Sequence, residues 1–423
     1  MSKIDELIAQ YCPDGVEYKK LGELGVFYGG LTGKSKTDFQ HGNAKFITYM
    51  NVYSNIAVKT NINDFVRIGK NENQNRVEYG DVLFTGSSET PDECGISSVL
   101  TEKISEPLYL NSFCFGFRLH DKELFLPDFL KYLFRDDKIR MQIAQTANGV
   151  TRFNVSKKRF AKISIPIPPL PVQQEIVNIL DKFTALEAEL EAELEARRKQ
   201  YEYYRNQLLT PIEVDGKWLM NGVEVEWKTW GEIGTFVRGN GLPKSDFTEN
   251  GIGCIHYGQI YTYYGTFTEN TISFVSEETA KKLQKVQKND LIITNTSENM
   301  EDVCKTVVWL GENEIVTGGH ATIFKHKENP KYLAYYTQTP IFFAEKKKLA
   351  RGTKVIDVSA KDLAKIKIPI PPLAEQERIV EILDKFDRLV NDISEGLPAE
   401  IEARRKQYEY YRGKLLNFKK RNN

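Results

Sequence analysis

The organisation of this chain is decided by a stretch that occurs twice: Ile165-Pro-Ile-Pro-Pro-Leu-Pro-Val-Gln-Gln-Glu-Ile-Val-Asn-Ile-Leu-Asp-Lys-Phe183 returns as Ile368-Pro-Ile-Pro-Pro-Leu-Ala-Glu-Gln-Glu-Arg-Ile-Val-Glu-Ile-Leu-Asp-Lys-Phe386. Fourteen of these 19 positions are identical at an offset of 203 residues. A second stretch, Glu195-Ala-Arg-Arg-Lys-Gln-Tyr-Glu-Tyr-Tyr-Arg205, returns unchanged at 402–412. A repeat period of 203 residues is far longer than that of a solenoid protein, so it predicts two domains, each followed by a connector.

The segments that precede the two copies repeat more loosely. Lys36-Thr-Asp-Phe39 corresponds to Lys244-Ser-Asp-Phe247, and Asn154-Val-Ser156 corresponds to Asp357-Val-Ser359. The chain therefore divides into two diverged domains, each followed by a closely retained helical spacer. The predicted boundaries are 1–164 for the first domain, 165–210 for the central spacer, 211–367 for the second domain and 368–423 for the C-terminal spacer.

Short β-rich runs separated by Gly, Asn and Asp turns indicate that each domain is mixed α+β with an irregular sheet. The predicted strands are Lys45–Val52, Asp81–Thr85, Phe113–Leu119, Asp290–Thr294 and Thr322–Lys327. One amphipathic helix is expected in each domain, at Pro127–Gln145 and at Pro330–Leu349.

The connectors are predicted to be long helices. Residues 172–209 contain no Pro or Gly, and their apolar positions recur every three or four residues. Such a helix would be about 57 Å long and needs a second helix to cover its apolar stripe. The expected partner is the second connector, Ala374–Leu416, which Gly396 and Pro398 should break or kink.

Composition excludes several classes of protein. Aromatic residues make up 11% of the chain, which argues against disorder, and 58 basic side chains balance 58 acidic ones. That balance gives no support to a non-specific nucleic-acid binder. The five cysteines lack any C-x-x-C pair, which favours a reducing cytoplasm over a disulfide framework or a cysteine zinc site. No membrane segment or signal peptide is expected.

Catalytic motifs are matched only in part. Gly33-Lys34-Ser35 resembles the end of a P-loop, but Tyr28 stands where its first glycine should be. Asp128 and Asp136 mimic a nuclease motif but fall within a predicted helix, so a degenerate nuclease remains a minor alternative. The chain lacks an Asn/Asp-Pro-Pro-aromatic methyltransferase motif, and its five histidines show no metal-site spacing. No catalytic residue and no metal site are therefore expected.

The paired, spaced motifs resemble those of the specificity subunits of type I restriction–modification systems. The run Leu186-Glu-Ala-Glu, Leu190-Glu-Ala-Glu is similar to the tetrapeptide repeats in the central helix of one branch of that family. The second connector departs from this pattern, because it has a Gly/Pro break and no such repeat.

The resemblance implies a non-catalytic, cytoplasmic reader of double-stranded DNA. It implies an α+β fold in which two similar target-recognition domains are separated by two long helices, paired as an antiparallel coiled coil with pseudo-two-fold symmetry. Each domain would read one half of a bipartite target. Two methyltransferase subunits would dock on the helices and methylate adenine from S-adenosylmethionine, and two ATP- and Mg²⁺-dependent restriction subunits could join them.

A spacer role also fits helix geometry. Four helical residues add about 6 Å and about 40° of rotation, whereas one base pair adds about 3.4 Å and about 34°. Adding a tetrapeptide unit therefore lengthens the spacer with little change in the rotation of the recognition domain relative to the DNA. The plain alternative, a solvated helix of high propensity, is compatible with this role.

Glycine-flanked polar loops at corresponding places in the two domains are the expected DNA contacts, through phosphates and base edges. The candidate residues are Gly33, Lys34, Ser35, Lys36, Ser87, Ser88, Asn148, Thr151, Arg152, Arg238, Asn240, Lys244, Thr296, Ser297, Arg351, Thr353 and Lys354. For any single residue, an ordinary surface turn is an equally good account.

The repeated Arg/Tyr-rich stretches are interpreted as sites of helix packing and partner contact rather than base stacking. The candidate partner-binding residues are Arg198, Tyr201, Tyr204, Arg205, Arg405, Tyr408, Tyr411 and Arg412. The main alternative function is a coiled-coil adaptor whose two α+β domains bind proteins, which the neutral charge mildly favours.

Overall fold

The computed structural model describes residues 3–421, which divide into two compact units. Unit 1 consists of residues 3–189 and 401–421, and unit 2 consists of residues 190–400. Unit 2 is therefore one continuous stretch of chain, whereas unit 1 is assembled from two stretches that are distant in sequence.

Most helices are short, and the longest are the connectors. The α-helices are α1 (Lys3–Tyr11), α2 (Leu21–Leu24), α3 (Tyr49–Ser54), α4 (Pro127–Leu133), α5 (Asp137–Ala144), α6 (Lys157–Phe160), α7 (Leu170–Leu209), α8 (Trp230–Ile233), α9 (Tyr257–Thr262), α10 (Glu277–Ala280), α11 (Pro330–Tyr336), α12 (Pro340–Leu349), α13 (Ala360–Leu363), α14 (Leu373–Asn391) and α15 (Leu397–Leu415). Short 3-10 helices cover Lys36–Phe39 and Lys244–Asp246.

Strands are two to six residues long. Those of unit 1 are β1 (Glu17–Lys20), β2 (Gly25–Gly29), β3 (Ala44–Ile47), β4 (Phe65–Val66), β5 (Val82–Thr85), β6 (Ser87–Ser88), β7 (Ser97–Val99), β8 (Leu108–Leu110), β9 (Cys114–Leu119), β10 (Ala147–Asn148), β11 (Phe153–Val155) and β12 (Ser164–Ile167). Those of unit 2 are β13 (Ile212–Val214), β14 (Lys217–Met220), β15 (Val223–Glu224), β16 (Glu226–Thr229), β17 (Gly234–Arg238), β18 (Phe247–Thr248), β19 (Ile252–Ile255), β20 (Phe267–Thr268), β21 (Ser273–Val275), β22 (Gln284–Val286), β23 (Leu291–Thr294), β24 (Thr296–Ser297), β25 (Thr306–Trp309), β26 (Ile315–Thr317), β27 (Ala321–His326), β28 (Ile356–Asp357) and β29 (Lys367–Ile370).

The two units share one sheet plan. The main sheet of unit 1 has the order β2-β9-β5-β7, and unit 2 repeats it as β17-β27-β23-β25 with β20 added at the edge. A second sheet pairs β3 with β8 in parallel in unit 1, and β19 with β26 in parallel in unit 2. The loose sequence repeat is thus a repeated α+β fold, as predicted.

The connector helices are part of each unit's core. In unit 1, Val172, Ile176 and Leu180 of α7 are buried in the same cluster as Phe129 and Leu133 of α4. In unit 2, Ile379 and Leu383 of α14 take the corresponding places. The similarity of the two copies of the motif is therefore explained by its packing, because its apolar residues complete the core of the domain that precedes it.

Each unit also contains an antiparallel pair of connector helices. In unit 1 the ring of Phe183 lies 5.5 Å from that of Tyr411, and Glu187 pairs with Arg405 at 2.6 Å, so α7 and α15 run in opposite directions. In unit 2, Phe386 of α14 lies 5.4 Å from Tyr204 of α7. The first motif of one copy therefore packs against the second motif of the other copy.

A buried glutamine fixes each connector to its domain. The side chain of Gln173 accepts from the Leu126 N–H at 2.8 Å and donates to the Pro168 carbonyl at 2.7 Å. Gln376 repeats this contact by accepting from the Asn329 N–H at 2.9 Å. Both glutamines are fully buried, so their hydrogen bonds explain why this polar residue is present in both motifs.

The predicted break in the second connector is confirmed. Helix α14 ends at Asn391 and α15 begins at Leu397, whereas α7 is unbroken over 40 residues. A Cβ at Gly396 would lie 2.4 Å from the Arg388 carbonyl oxygen, so only glycine fits this close approach.

Two sequence predictions need correction. The helices predicted at 127–145 and 330–349 are each two helices, because Asp136 and Thr339 cap new helices that begin one residue later. The strand predicted at 45–52 ends at Ile47, because Thr48 accepts from the Asn51 N–H at 3.2 Å and starts α3. The other predicted strands agree within one residue at each end.

Candidate nucleic-acid interface

Two of the predicted loops meet in unit 1. Strand β6 pairs with β11, which forms a hairpin with β10. At the hairpin turn Gly149 has a φ of +146°, and the neighbouring Val150 side chain is 91% exposed. The guanidinium of Arg152 donates to Ser87 Oγ from Nη2 at 3.0 Å. The structure thus brings together the candidates Ser87, Ser88, Asn148, Thr151 and Arg152.

A cleft of about 560 Å³ opens beside this hairpin. Its lining residues are Tyr49, Met50, Tyr53, Ser87, Ser88, Glu89, Glu93, Phe113, Thr151 and Arg152. The guanidinium of Arg152 lies 5.6 Å from the centre of the Phe113 ring, which is 57% exposed. The cleft therefore combines hydroxyl groups, a cation, carboxylates and aromatic faces, which are groups that contact the edges and faces of bases.

The carboxylate of Glu93 is held at both oxygens. Tyr53 OH donates to one oxygen at 2.8 Å, and Ser88 Oγ donates to the other at 3.0 Å. These hydrogen bonds lower the pKa of Glu93, so the group is an anion at neutral pH. Tyr49 OH donates to the Ser87 carbonyl at 2.9 Å and ties α3 to β6.

The glycine loop at 33–36 is built differently. Gly33 adopts a φ of +67°, and Ser35 caps the following 3-10 helix. The Lys34 ammonium lies 2.5 Å from Glu72, and its side chain is only 8% exposed. Lys36 is exposed. Of the two lysines predicted to contact phosphate, only Lys36 presents its charge to solvent.

Unit 2 has a matching hairpin arrangement. Thr296 and Ser297 of β24 pair with β28, and Arg351 precedes a turn in which Gly352 has a φ of +99°. The candidates Arg351, Thr353 and Lys354 are exposed in this turn. Tyr261 OH donates to the Thr296 carbonyl, as Tyr49 does to Ser87.

The remaining candidates of unit 2 lie at the end of β17 and on the glycine loop that follows it. Arg238 and Lys244 are exposed, and Lys244 begins the 3-10 helix that corresponds to Lys36–Phe39. The Asn240 side chain donates to the Lys282 carbonyl at 2.6 Å, which holds the loop against its own unit.

The candidate partner residues divide by exposure. Tyr201 is 5% exposed and packs on Phe386, and the Arg412 side chain is 12% exposed and pairs with Asp137, so both are packing residues. Tyr408 and Arg205 are half-buried; Arg198, Tyr204, Arg405 and Tyr411 are exposed. Tyr203 and Tyr410, which were not among the candidates, are the most exposed tyrosines of the repeat, at 62% and 66%.

Sequence reasoning also missed six residues of the cleft: Tyr49, Met50, Tyr53, Glu89, Glu93 and Phe113. The offset that aligns Ser88 with Ser297 also aligns Glu93 with Asp302, and this pair of carboxylates was the available signal. The tyrosines gave no comparable signal, because α3 was not predicted: Tyr49 was assigned to a strand, and Tyr53 was assigned to no element.

The acidic residues of the nuclease alternative have structural partners. Asp128 pairs with Lys131 at 2.8 Å, and Asp136 is 3% exposed and caps α5. Within residues 3–421 no cluster of three His, Cys, Asp or Glu side chains is arranged to hold a metal ion. No helix in that same range is long and apolar enough to span a membrane.

Known proteins are similar to this chain in sequence and in fold. The chain is 40% identical over 280 residues to a type I restriction enzyme specificity subunit of Escherichia coli. The aligned region covers 63% of this chain and 65% of the relative, so the match spans just under two thirds of the relative's length. It is 36% identical over 285 residues to a putative type I restriction enzyme specificity subunit of Haemophilus influenzae, covering 64% of this chain and 68% of the relative.

Two solved structures have the same fold. The first is the S subunit of a type I restriction–modification system from M. genitalium, with a TM-score of 0.50 at 16% identity, covering 95% of this chain and 96% of that chain. The second comes from a study of complex assembly and conformational transition of the type I R-M system, with a TM-score of 0.62 at 18% identity, covering 96% and 98%.

The family model for the type I restriction modification DNA specificity domain matches residues 13–196 and again residues 222–403. These two matches span most of the chain and coincide with the two copies of the repeat. The chain therefore belongs to the family of type I restriction–modification specificity subunits and carries two copies of the DNA specificity domain.

Proposed function

We propose that this chain selects a bipartite double-stranded DNA sequence, with one recognition domain reading each half. The observation that carries the proposal is the repeated reading surface. A strand of hydroxyl residues, a glycine-turned hairpin and a tyrosine-bearing helix occur in both units, although the loop sequences have diverged. One scaffold with two different sets of loop side chains is suited to reading two different half-sites.

The helix α7 contributes residues to both units and is proposed to set the gap between the half-sites. Its length is 40 residues, about 60 Å at 1.5 Å per residue. The buried glutamines described above attach each connector to its domain, and the aromatic contacts join the paired connector helices. A spacer attached in this way would transmit its length and rotation to the readers.

The connectors are also proposed to dock two methyltransferase subunits. Residues 195–205 and 402–412 are identical, yet Tyr203 and Tyr410 within them are largely exposed. Packing inside the chain does not require tyrosine at an exposed position. Identity at these sites is explained by one partner surface that is contacted twice, and exposed tyrosines are frequent at such contacts.

In this proposal the chain is non-catalytic and acts in the cytoplasm, where the DNA is. S-adenosylmethionine would be bound by the methyltransferase subunits, and ATP and Mg²⁺ by up to two restriction subunits. The domain boundaries 1–164, 165–210, 211–367 and 368–423 would then separate readers from spacers by role, although each spacer shares a core with its reader.

Methylation mapping of host DNA with and without this gene tests the proposal. Loss of adenine methylation at a single split motif is the expected result, and it identifies the target directly. Replacing residues 1–160 with those of a relative should alter one half-site only. An unchanged methylome in cells that express the methyltransferase would favour the coiled-coil adaptor instead.

A further inference from the structure

We infer that Arg152 and Glu93 together read a G·C base pair in the half-site assigned to unit 1. This inference rests on the proposed function and adds to it the two residues and the base pair. Both side chains line the same cleft, from the hairpin tip and from the segment after β6 respectively.

Glu93 is rigidly presented. Its oxygens accept hydroxyl hydrogen bonds from Tyr53 and Ser88, and the Thr90 side chain is a third hydrogen-bond partner. A carboxylate has about four lone-pair sites, so capacity for one more donor remains. The side chain is neither buried nor fully exposed, and it pairs with no lysine or arginine among the described salt bridges.

A fixed anion in this position excludes one mode of binding. A phosphate next to the Glu93 carboxylate would meet like-charge repulsion in a partly desolvated cleft. The exocyclic amino group of a base is the complementary ligand, because a carboxylate accepts from cytosine N4 in the major groove. The cleft is therefore suited to a base edge at its Glu93 side.

Arg152 supplies the complementary donor. Its Nε and Nη2 atoms lie 3.3 and 3.0 Å from Ser87 Oγ, and the Phe113 ring stacks beside the guanidinium. These contacts orient the fork without neutralising its charge. Arginine donating to guanine O6 and N7 is the most common specific contact to a base, and the paired cytosine presents the amino group that suits Glu93.

Unit 2 lacks this pair of side chains. At the offset of 203 that aligns Asn154 with Asp357, the position of Arg152 is occupied by Val355. Asp302, at the position of Glu93, accepts from the Asn299 amide at 2.8 Å. The G·C readout is therefore assigned to unit 1 alone.

The test uses the full chain in complex with the methyltransferase subunits and a randomised DNA duplex pool, with bound sequences read by sequencing. Arg152→Ala should lose roughly 10- to 100-fold of its preference for guanine at one position of one half-site. Glu93→Gln should weaken the preference for cytosine on the opposite strand of that same base pair. The other half-site should be unchanged in both variants.

Matched controls separate these effects from loss of charge or fold. Lys158→Ala and Glu106→Gln remove the same charges at exposed positions of unit 1 outside the cleft, and they should leave both half-sites intact. Thermal unfolding midpoints identify any variant that fails to fold, and Arg152→Lys then replaces Arg152→Ala, because lysine lacks the planar fork.

Three results would overturn the inference. The variants relax different base pairs, or neither relaxes any, or Arg152→Ala weakens binding equally for all sequences and reduces its salt dependence, as loss of a phosphate contact does. Absence of any split motif for the wild-type complex would instead refute the proposed function, and with it this inference.

Discussion

The hydroxyl of Tyr132 donates a 2.6 Å hydrogen bond to the carboxylate of Asp181, which joins the buried helix α4 to the connector α7. In unit 2, Tyr335 makes the same bond to Asp384 at 2.7 Å, again 203 residues later. Lys131 and Lys331 complete the two clusters, at 2.9 and 2.6 Å from the same carboxylates. The aspartate of the Asp-Lys-Phe end of the repeated motif is therefore explained by how each domain is attached to its connector.

Replacing Tyr132 with Phe should destabilise unit 1 by about 0.5–1.5 kcal/mol, because a fully buried hydroxyl loses its hydrogen bond, whereas Asp181, whose side chain is 47% exposed, regains water. Native-state hydrogen exchange of the α4 amides at increasing urea concentration measures the change within unit 1. Tyr410→Phe, at a tyrosine of unit 1 that is 66% exposed, is the matched control and should change stability by less than about 0.5 kcal/mol. If Tyr132→Phe and the wild type were equally stable, the hydrogen bond would contribute no net free energy to folding.

Acid should weaken the glycine loop of unit 1 through Glu72. The Gly69 N–H, Lys34 and Gln74 lower the pKa of Glu72 from 4.5 to about 2. A carboxyl group with a lowered pKa in the folded state stabilises the fold above its unfolded pKa, and that contribution is lost as the pH falls through the folded pKa. The difference in Tm between wild type and Glu72→Gln should therefore narrow between pH 4.5 and pH 2. A constant difference across this range would contradict the assignment.

The two lysines of the glycine loop should differ in their effect on DNA binding. Lys36→Ala should reduce the slope of log K against log salt concentration by about 0.9, as expected for one phosphate contact. Lys34→Ala should leave this slope unchanged, because Glu72 already neutralises the ammonium. Binding isotherms at several salt concentrations measure both slopes. An equal reduction of the slope in both variants would show that Lys34 leaves Glu72 in the complex, whereas no reduction in either would refute the phosphate contact of Lys36.

The exposed tyrosines of the repeat should determine how many methyltransferase subunits the chain binds. Tyr203→Ala and Tyr410→Ala should each weaken binding of one methyltransferase subunit, and the double variant should weaken both. Native mass spectrometry of the complex counts the subunits. Tyr263→Ala, at a tyrosine of unit 2 that is also 62% exposed, is the control. Two subunits bound at full affinity by the double variant would place the docking site elsewhere.

Deleting one Leu-Glu-Ala-Glu unit, residues 190–193, should shorten the gap in the target by one base pair and leave the bases read unchanged. The deletion removes about 6 Å and about 40° of helix, close to the rotation of one base pair. Methylation mapping reports both properties. Glu189→Lys changes charge at constant length and should keep the gap; a deletion variant that also keeps it would refute the spacer model.

The sequence alone was enough to predict the duplicated domains and the long connector helices. It located α7 within two residues at its start, and it located the break at Gly396, because helix periodicity and Gly/Pro punctuation are local signals. The cleft was not predictable as a unit. Its lining comes from four separate segments that only the sheet pairings bring together, and Lys34 could not be told from Lys36 without the position of Glu72.

The assembly of unit 1 from two distant stretches has a consequence during synthesis. Ribosomes deliver the N-terminal stretch first, yet Leu416 of its core and the Tyr408 ring that packs beside Phe183 come last. Unit 2 is complete once residue 400 has emerged, so the later-encoded unit can finish folding before the earlier-encoded one. A nascent chain truncated after residue 400 and held on the ribosome by a linker that fills the exit tunnel should therefore protect residues 190–400 from protease while leaving residues 3–189 susceptible, reversing the usual N-to-C order of maturation.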